Sequence, residues 1–342
     1  MTVHLPIVDE PASSLRADGG RNYVHPADVA GRFTTRRYVM FAVLITVYVV
    51  LPFLRVGGAP AVFLDVAHRR FHLFGASFNA NDFWLVFFLL SGYVLTHSAR
   101  HGLDRGRFVL KRLVRLLPVY YACLLPLCLV TTVPLADWLL LTPFGGGDLV
   151  NGPGWSICAE LFFPLAAVLS GLSVPARLVR PLLVVALLAL GWLDLPLAVD
   201  DANHLLRGAV GLFAGHLLYR AGLSVPLPFL AGIGAVLGLM AGAMVAPWLA
   251  LLLPWVAAAT ILAGRGDRGL FTKPPFQWLG LISYTVYLAH WPVLLVMKQQ
   301  WGAALGANPL LKLQGVAVAS LAAVVLTLLV ERPAMRMMAR RG

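Results

Sequence analysis

The chain has 342 residues, 59% of them hydrophobic and 12% charged, with a formal net charge of +12. The charged share is about half that of an ordinary soluble domain, which excludes a water-soluble globule and points to a polytopic membrane protein. The positive excess invites a nucleic-acid reading, but the basic residues lie between apolar segments, where membrane topology accounts for them.

Residues 1–35 are polar and lack the apolar stretch and small-residue cleavage site of a signal peptide, so they are expected to form a flexible cytoplasmic tail. Ten apolar segments follow, at about 38–54, 83–99, 113–133, 155–171, 181–199, 204–220, 226–245, 247–264, 277–297 and 311–331. Several approach the ~17–25 residues that cross a ~30 Å hydrocarbon core. Charge tests this count. With the N-terminus inside, 21 of the 27 Lys and Arg fall on the cytoplasmic side; only Arg55, Arg69, Arg70, Arg207, Lys298 and Lys312 fall outside. Ten spans therefore satisfy the positive-inside rule with both termini cytoplasmic, the basic tail 336–342 included. The expected fold is all-α, a bundle of about ten transmembrane helices over 36–335. Cys123, Cys128 and Cys158 show no Cys-x-x-Cys spacing or Cys/His cluster, so neither a disulfide framework nor a metal site is implied.

Three polar motifs interrupt the apolar pattern. The segment after the second span, Arg107 to Tyr121, reads as a loop in which Arg112 and Arg115 share one face with Lys111 alongside. Such a guanidinium pair suits phosphate, although a topological anchor would also place arginine there. The fourth span opens Gly152-Pro153-Gly154-Trp155-Ser156 and carries Glu160 about 7 Å inside the outer boundary at helical rise. The ninth holds Ser283, Tyr284, Tyr287 and His290 at spacings that share a helix face, with Pro292 just beyond. Ionisable groups in hydrocarbon are costly and mark functional sites by default. The alternatives are an aromatic interface belt around His290 and a hydrogen-bonded carboxyl joining helices at Glu160. This reading puts Glu160 and His290 at similar depth in the outer half, with the arginines on the opposite face. That order suits a phosphate-bearing donor entering from the cytoplasm.

Together these motifs resemble the acyltransferase-3 family of integral membrane O-acyltransferases over about 36–335. Phe87-Phe88-Leu-Leu-Ser91-Gly92-Tyr93, Arg112-x-x-Arg115, Trp155-Ser156-x-x-x-Glu160, Ser283-Tyr284 through His290-x-Pro292, and Glu331-Arg332-Pro333 match its signatures in order. The resemblance implies transfer of an acyl group, acetyl first among candidates, from acyl-CoA to a saccharide hydroxyl. The acceptor would be an exopolysaccharide or lipid-linked cell-envelope glycan precursor, and the location a bacterial inner membrane. It implies donor binding by Arg37, Arg112 and Arg115, catalysis by His290, Glu160 or Tyr48, and acceptor contacts from Trp155, Ser156, Ser283 and Tyr287, with no metal. The family pattern places a histidine, assigned a catalytic role, eleven positions after a first-span Arg or Lys; here Tyr48 follows Arg37 at that spacing. A phenol with pKa near ~10 is a poor base but a good hydrogen-bond donor. His68 and His72 are further candidates, and Leu85 stands where the family carries an aspartate, with Asp82 nearby. Two other readings stay open: a transporter or flippase for a polysaccharide precursor, using Glu160, His290 and Arg207, and a catalytically inactive relative.

Overall fold

The computed structural model describes residues 62–65, 70–73, 76–99, 105–145, 148–170, 174–195, 203–243, 245–264, 274–302 and 308–340. The first apolar segment, with Arg37 and Tyr48, lies outside the described residues, as does His68. The described structure is a helical bundle: α1 (Ala80–Ala99), α2 (Arg105–Leu124), α3 (Trp155–Ser170), α4 (Ala176–Asp194), α5 (Asn203–Arg220), α6 (Phe229–Ala243), α7 (Leu253–Ala263), α8 (Pro274–Trp301), α9 (Pro309–Leu326) and α10 (Arg332–Arg340). Among the described residues, four stretches are long and apolar enough to cross a bilayer: Gly106–Leu129, Ala176–Asp194, Trp278–Trp301 and Leu313–Met338. Trp84–His97, Phe229–Ala243 and Pro247–Ala263 are shorter apolar helices.

One element departs from an all-helical reading. Strands β1 (Val62–Asp65), β2 (Arg70–Leu73) and β3 (Ala76–Asn79) form an antiparallel meander in which His72 stands opposite Phe63 and Ser77. These four-residue strands lie in the segment expected to be an outer loop, too short to register as periodic in an apolar chain.

Boundaries moved where proline and charge set them. The expected loop at 107–112 is instead the first two turns of α2. No helix breaker lies between Arg107 and Leu117, and Phe108, Leu116, Val119, Tyr120, Cys123 and Leu124 make one buried stripe. Helix α4 starts five residues earlier than its apolar run, directly after Pro175, and ends at Leu195, which is held extended before Pro196. Asn308 caps α9, its side chain accepting the Leu310 N–H at 2.9 Å, with Pro309 at the first helical position. The C-terminal basic residues continue as helix to Arg340.

Packing divides into two apolar cores. One joins α1, α4, α5, α6 and α7; the other joins α2, α3, α8 and α9. Phe88, Ala159 and Leu212 connect them. Helices α1 and α5 make the most extensive contact in the bundle because glycines remove the side chains between them. A Cβ at Gly92 would collide with the Leu212 carbonyl, and one at Gly215 with the Leu89 carbonyl. Gly208 and Gly211 admit Ala159 and Phe88 in the same way. Between lipid-like helices, backbone approach of this kind is the main source of attraction. It sets Ser91, beside Gly92, against α3.

Candidate active site

Polar side chains form a track along the seam between α2, α3 and α8. At one end Arg112 of α2 holds Glu160 of α3 by two bonds: its Nη2–H reaches Oε2 at 3.2 Å and its Nε–H reaches the Glu160 main-chain oxygen at 3.0 Å. That carbonyl is available for a local reason. Pro164 lies four residues on, inside the helix, and has no N–H to return to it. Ser91 completes the carboxylate, its hydroxyl donating to Oε1 at 2.7 Å.

One turn further along α2, Arg115 Nε lies 3.8 Å from Glu331 Oε1. The Thr285 hydroxyl donates to Glu331 Oε2 at 3.1 Å, and Thr327 donates to Thr285 at 3.0 Å. Glu331 closes a widened π turn over Thr327–Glu331, in which the Arg332 N–H returns to the Thr327 carbonyl. Pro333 explains the widening: a regular helix would drive its ring against the Leu329 carbonyl, and π turns of this kind re-aim side chains.

The track continues up α8. The Tyr284 hydroxyl donates to the Leu116 carbonyl at 2.9 Å, Tyr287 to the Pro153 carbonyl at 2.9 Å, and the Trp291 indole N–H to the Val150 carbonyl at 2.8 Å. His290 is 8% exposed, and its buried Nδ1 makes no regular hydrogen bond; the carbonyls of Val286 and Tyr287, one turn earlier, are its electrostatic neighbours. Rings surround it: Tyr287 at 5.9 Å and Trp291 at 6.4 Å between centroids. Trp84 lies edge-on to both Tyr287 (5.1 Å) and Trp155 (5.0 Å).

The segment 148–154 that receives these bonds is fixed by a buried carboxylate. Asp137 accepts the Val150 N–H at 2.6 Å and the Thr142 hydroxyl, while its own main-chain oxygen takes the Tyr120 hydroxyl at 2.8 Å. Asp137 is 1% exposed.

The geometry corrects one expectation. Glu160 does not share the depth of His290, for it meets Arg112 directly. Pro153, seven residues before Glu160, is the level of Tyr287, so the carboxylate lies about 10 Å of helical rise from the histidine end. The Gly-Pro-Gly entry misled the depth count, because those residues form a short 3₁₀ turn and the helix starts only at Trp155. The candidate acceptor-binding hydroxyls are also turned to main-chain carbonyls: Ser283 to Gly280 at 2.8 Å, Ser156 to Pro153 at 3.0 Å, and Tyr287 to Pro153 as well. Trp155 alone of that set presents a partly exposed ring. Motif position did not single out Asp137, Thr285, Trp84 or His204, which packs on Trp155 at 5.2 Å. The signal that was available is Pro164, four residues after Glu160.

Such a site, charged pairs at one end and an enclosed imidazole at the other within an apolar helical bundle, belongs to an integral membrane protein built for chemistry on polar groups. The family model described as an acyltransferase domain matches residues 85–331. The chain belongs to the acyltransferase-3 family, and is a membrane acyltransferase. The match covers the sites of Ser91, Arg112, Arg115, Glu160, His290 and Glu331 and leaves out Arg37 and Tyr48. No curated protein and no solved structure matches the chain.

Proposed function

We propose that this acyltransferase moves an acetyl group from acetyl-CoA to a hydroxyl of a saccharide, a cell-envelope or exopolysaccharide precursor, at a bacterial inner membrane. The observation that supports this reading is the polar track itself. It begins at two guanidinium groups and ends, along α8, at a buried imidazole without a regular hydrogen bond. The distribution of Lys and Arg assigns the arginine end to the cytoplasm, where CoA is found, within a ten-span bundle having both termini inside.

Arg112 and Arg115 each hold a carboxylate, and a phosphate offers the same two-oxygen fork. Donor binding is then an exchange of partner at these guanidinium groups, assisted by Arg37. His290 acts as general base: it takes the acceptor hydroxyl proton as that oxygen attacks the thioester carbonyl, and returns it to the departing CoA thiolate, leaving ester and free thiol. Glu160, with both oxygens engaged, holds the helices and the donor end in register. Tyr48 is assigned as a hydrogen-bond donor to the thioester carbonyl.

The test uses purified full-length protein with labelled acetyl-CoA. Saturable binding with slow hydrolysis, both weakened roughly tenfold or more by Arg115→Ala and less by Arg115→Lys, is the expected result. Neither binding nor hydrolysis would overturn the reading and favour an inactive relative.

A further inference from the structure

We propose that Arg107 and Lys111 of α2 and Arg336 of α10 bind the phosphate of an anionic phospholipid, with Leu110 and Met337 seated among its acyl chains. This site is independent of the acyl-transfer reading. Helix α10 packs on α2 and buries Ala334, Met335 and Met338. The Arg115–Glu331 pair sets the register between the two helices. Val324, Leu326 and Val330, before Glu331, pack in the core that holds Leu116 to Leu127, so α10, after it, runs along the first turns of α2. Counted from that pair by helical rise, Lys111 lies about 6 Å along, Arg336 about 8 Å and Arg107 about 12 Å. The three cations therefore share one level at the end of the bundle.

A topological signal is the competing explanation, because arginine is expected near the ends of spans. Such a signal needs only charge in a loop. Here the cations are fixed on helices, inside the ends of the membrane-length stretches Gly106–Leu129 and Leu313–Met338. All three are exposed, and exposed apolar side chains lie among them: Leu110 at 50% and Met337 at 62%. Arg107, Leu110 and Lys111 share one face of α2 by their spacing of three and four. Water disfavours the leucine and the methionine, and acyl chains disfavour the cations. The headgroup boundary accommodates both.

Charge selects the ligand. Neither α2 nor α10 contains an Asp or Glu. Arg112 and Arg115 of the same α2 each meet a carboxylate. Among the described residues no carboxylate pairs with Arg107, Lys111 or Arg336, and Arg107 is near enough to Lys111 for their like charges to oppose each other. A phosphodiester between them relieves that repulsion and meets the guanidinium with two oxygens. A zwitterionic lipid brings a compensating ammonium, and free phosphate has no chains for Leu110 and Met337.

The experiment uses the full chain purified in a neutral detergent. It is titrated with dioctanoyl phosphatidylglycerol, dioctanoyl phosphatidylcholine, inorganic phosphate and CoA, and retained lipid is counted by native mass spectrometry. Phosphatidylglycerol should bind about tenfold or more tightly than phosphatidylcholine. Each cation at a membrane surface contributes about fivefold in affinity for anionic lipid, so Arg107→Gln/Arg336→Gln should weaken phosphatidylglycerol roughly twentyfold and leave phosphatidylcholine unchanged. Arg107→Lys/Arg336→Lys should keep most of the affinity. Leu110→Ser/Met337→Ser should weaken it several-fold with every charge in place, a change that a bare phosphate site would not feel. Equal preference for phosphatidylglycerol in the native protein and the glutamine variant would overturn the site. So would displacement of the lipid by inorganic phosphate at equal concentration. Displacement by CoA, with a matching loss of CoA binding in the glutamine variant, would make the patch part of the donor site and overturn the lipid assignment. These side chains are exposed, so the variants should melt with the native protein. If the glutamine variant does not, the serine variant decides, and undiminished phosphatidylglycerol binding by it overturns the site.

Discussion

The guanidinium of Arg112 takes both the carboxylate and the main-chain carbonyl of Glu160, so one side chain replaces a helical hydrogen bond and neutralises a charge together. The two residues come from helices whose apolar surfaces would permit several rotations about one another. The double bond fixes one of them. It also places Arg115, one turn along the same face, opposite Glu331.

Breaking this pair should cost stability before it costs anything else. Arg112→Ala leaves the Glu160 carboxylate held by the Ser91 hydroxyl in a low-dielectric seam. The expected loss is about 3 kcal/mol, near the low end for a buried pair because the side chains keep 14% and 13% exposure. Glu160→Leu in the same background should recover part of that loss, since it removes the orphaned charge. Unfolding of detergent-purified variants measures both; single and double variants as stable as the native protein would show that the pair is not structural.

Pro164 separates helix stability from site geometry. Pro164→Ala restores an N–H aimed at the Glu160 carbonyl, in competition with Arg112 Nε. The helix should gain up to about 3 kcal/mol from the change of propensity. Acetyl transfer should nonetheless fall roughly tenfold to a hundredfold as the guanidinium shifts, the scale of a small misplacement. A variant both more stable and fully active would show that proline to be incidental.

Much of this arrangement could be read from the chain, and the misses have physical causes. Arg112, Arg115, Glu160 and His290 stand out because charge is scarce in an apolar chain, and the two arginines and Glu160 do form ion pairs between helices. Helix boundaries could be read wherever proline marked them, as at Pro175 and Pro309. Pairing could not. Periodicity says which residues share a face of one helix but is silent on the register between helices, so it cannot distinguish Arg112 from His290 as the neighbour of Glu160. The Gly208, Gly211 and Gly215 stripe held the clue to the α1–α5 contact, since small residues at such spacing mark close helix approach. Asp137 gave no signal at all: its importance comes from a loop that folds back on it.

That loop supplies the next prediction. Asp137 is a buried carboxylate whose bonds tie residues 142 and 150 to the end of α2. Asp137→Ala removes the acceptor for the Val150 N–H, and each donor left unsatisfied should cost about 1–3 kcal/mol. Asp137→Asn keeps one acceptor oxygen and should cost less. Because the Trp291 indole and the Tyr287 hydroxyl depend on the same segment, limited proteolysis between 142 and 154 should accelerate in parallel with the loss of activity. Activity lost without faster cleavage would argue against a clamp and for a direct role of the carboxylate.

The sharpest test concerns His290. Its neighbours Tyr287 and Trp291 already bond to Pro153 and Val150, so the helix is held in place on both sides without help from the imidazole. Removing the ring should therefore leave the fold intact and expose its chemical role. His290→Ala should lower kcat about a hundredfold to ten-thousandfold, the usual contribution of a general base. His290→Gln fills similar space and can hydrogen-bond, but it cannot accept a proton near neutral pH, so it should be nearly as inactive. A packing role predicts the opposite, with glutamine rescuing alanine. Tyr48→Phe provides the comparison: loss of one oxyanion donor should cost about a hundredfold to a thousandfold in kcat, with the base still in place. Acetyl transfer by the three variants at equal folded amounts decides the matter. Full activity in His290→Ala would remove the histidine from the mechanism.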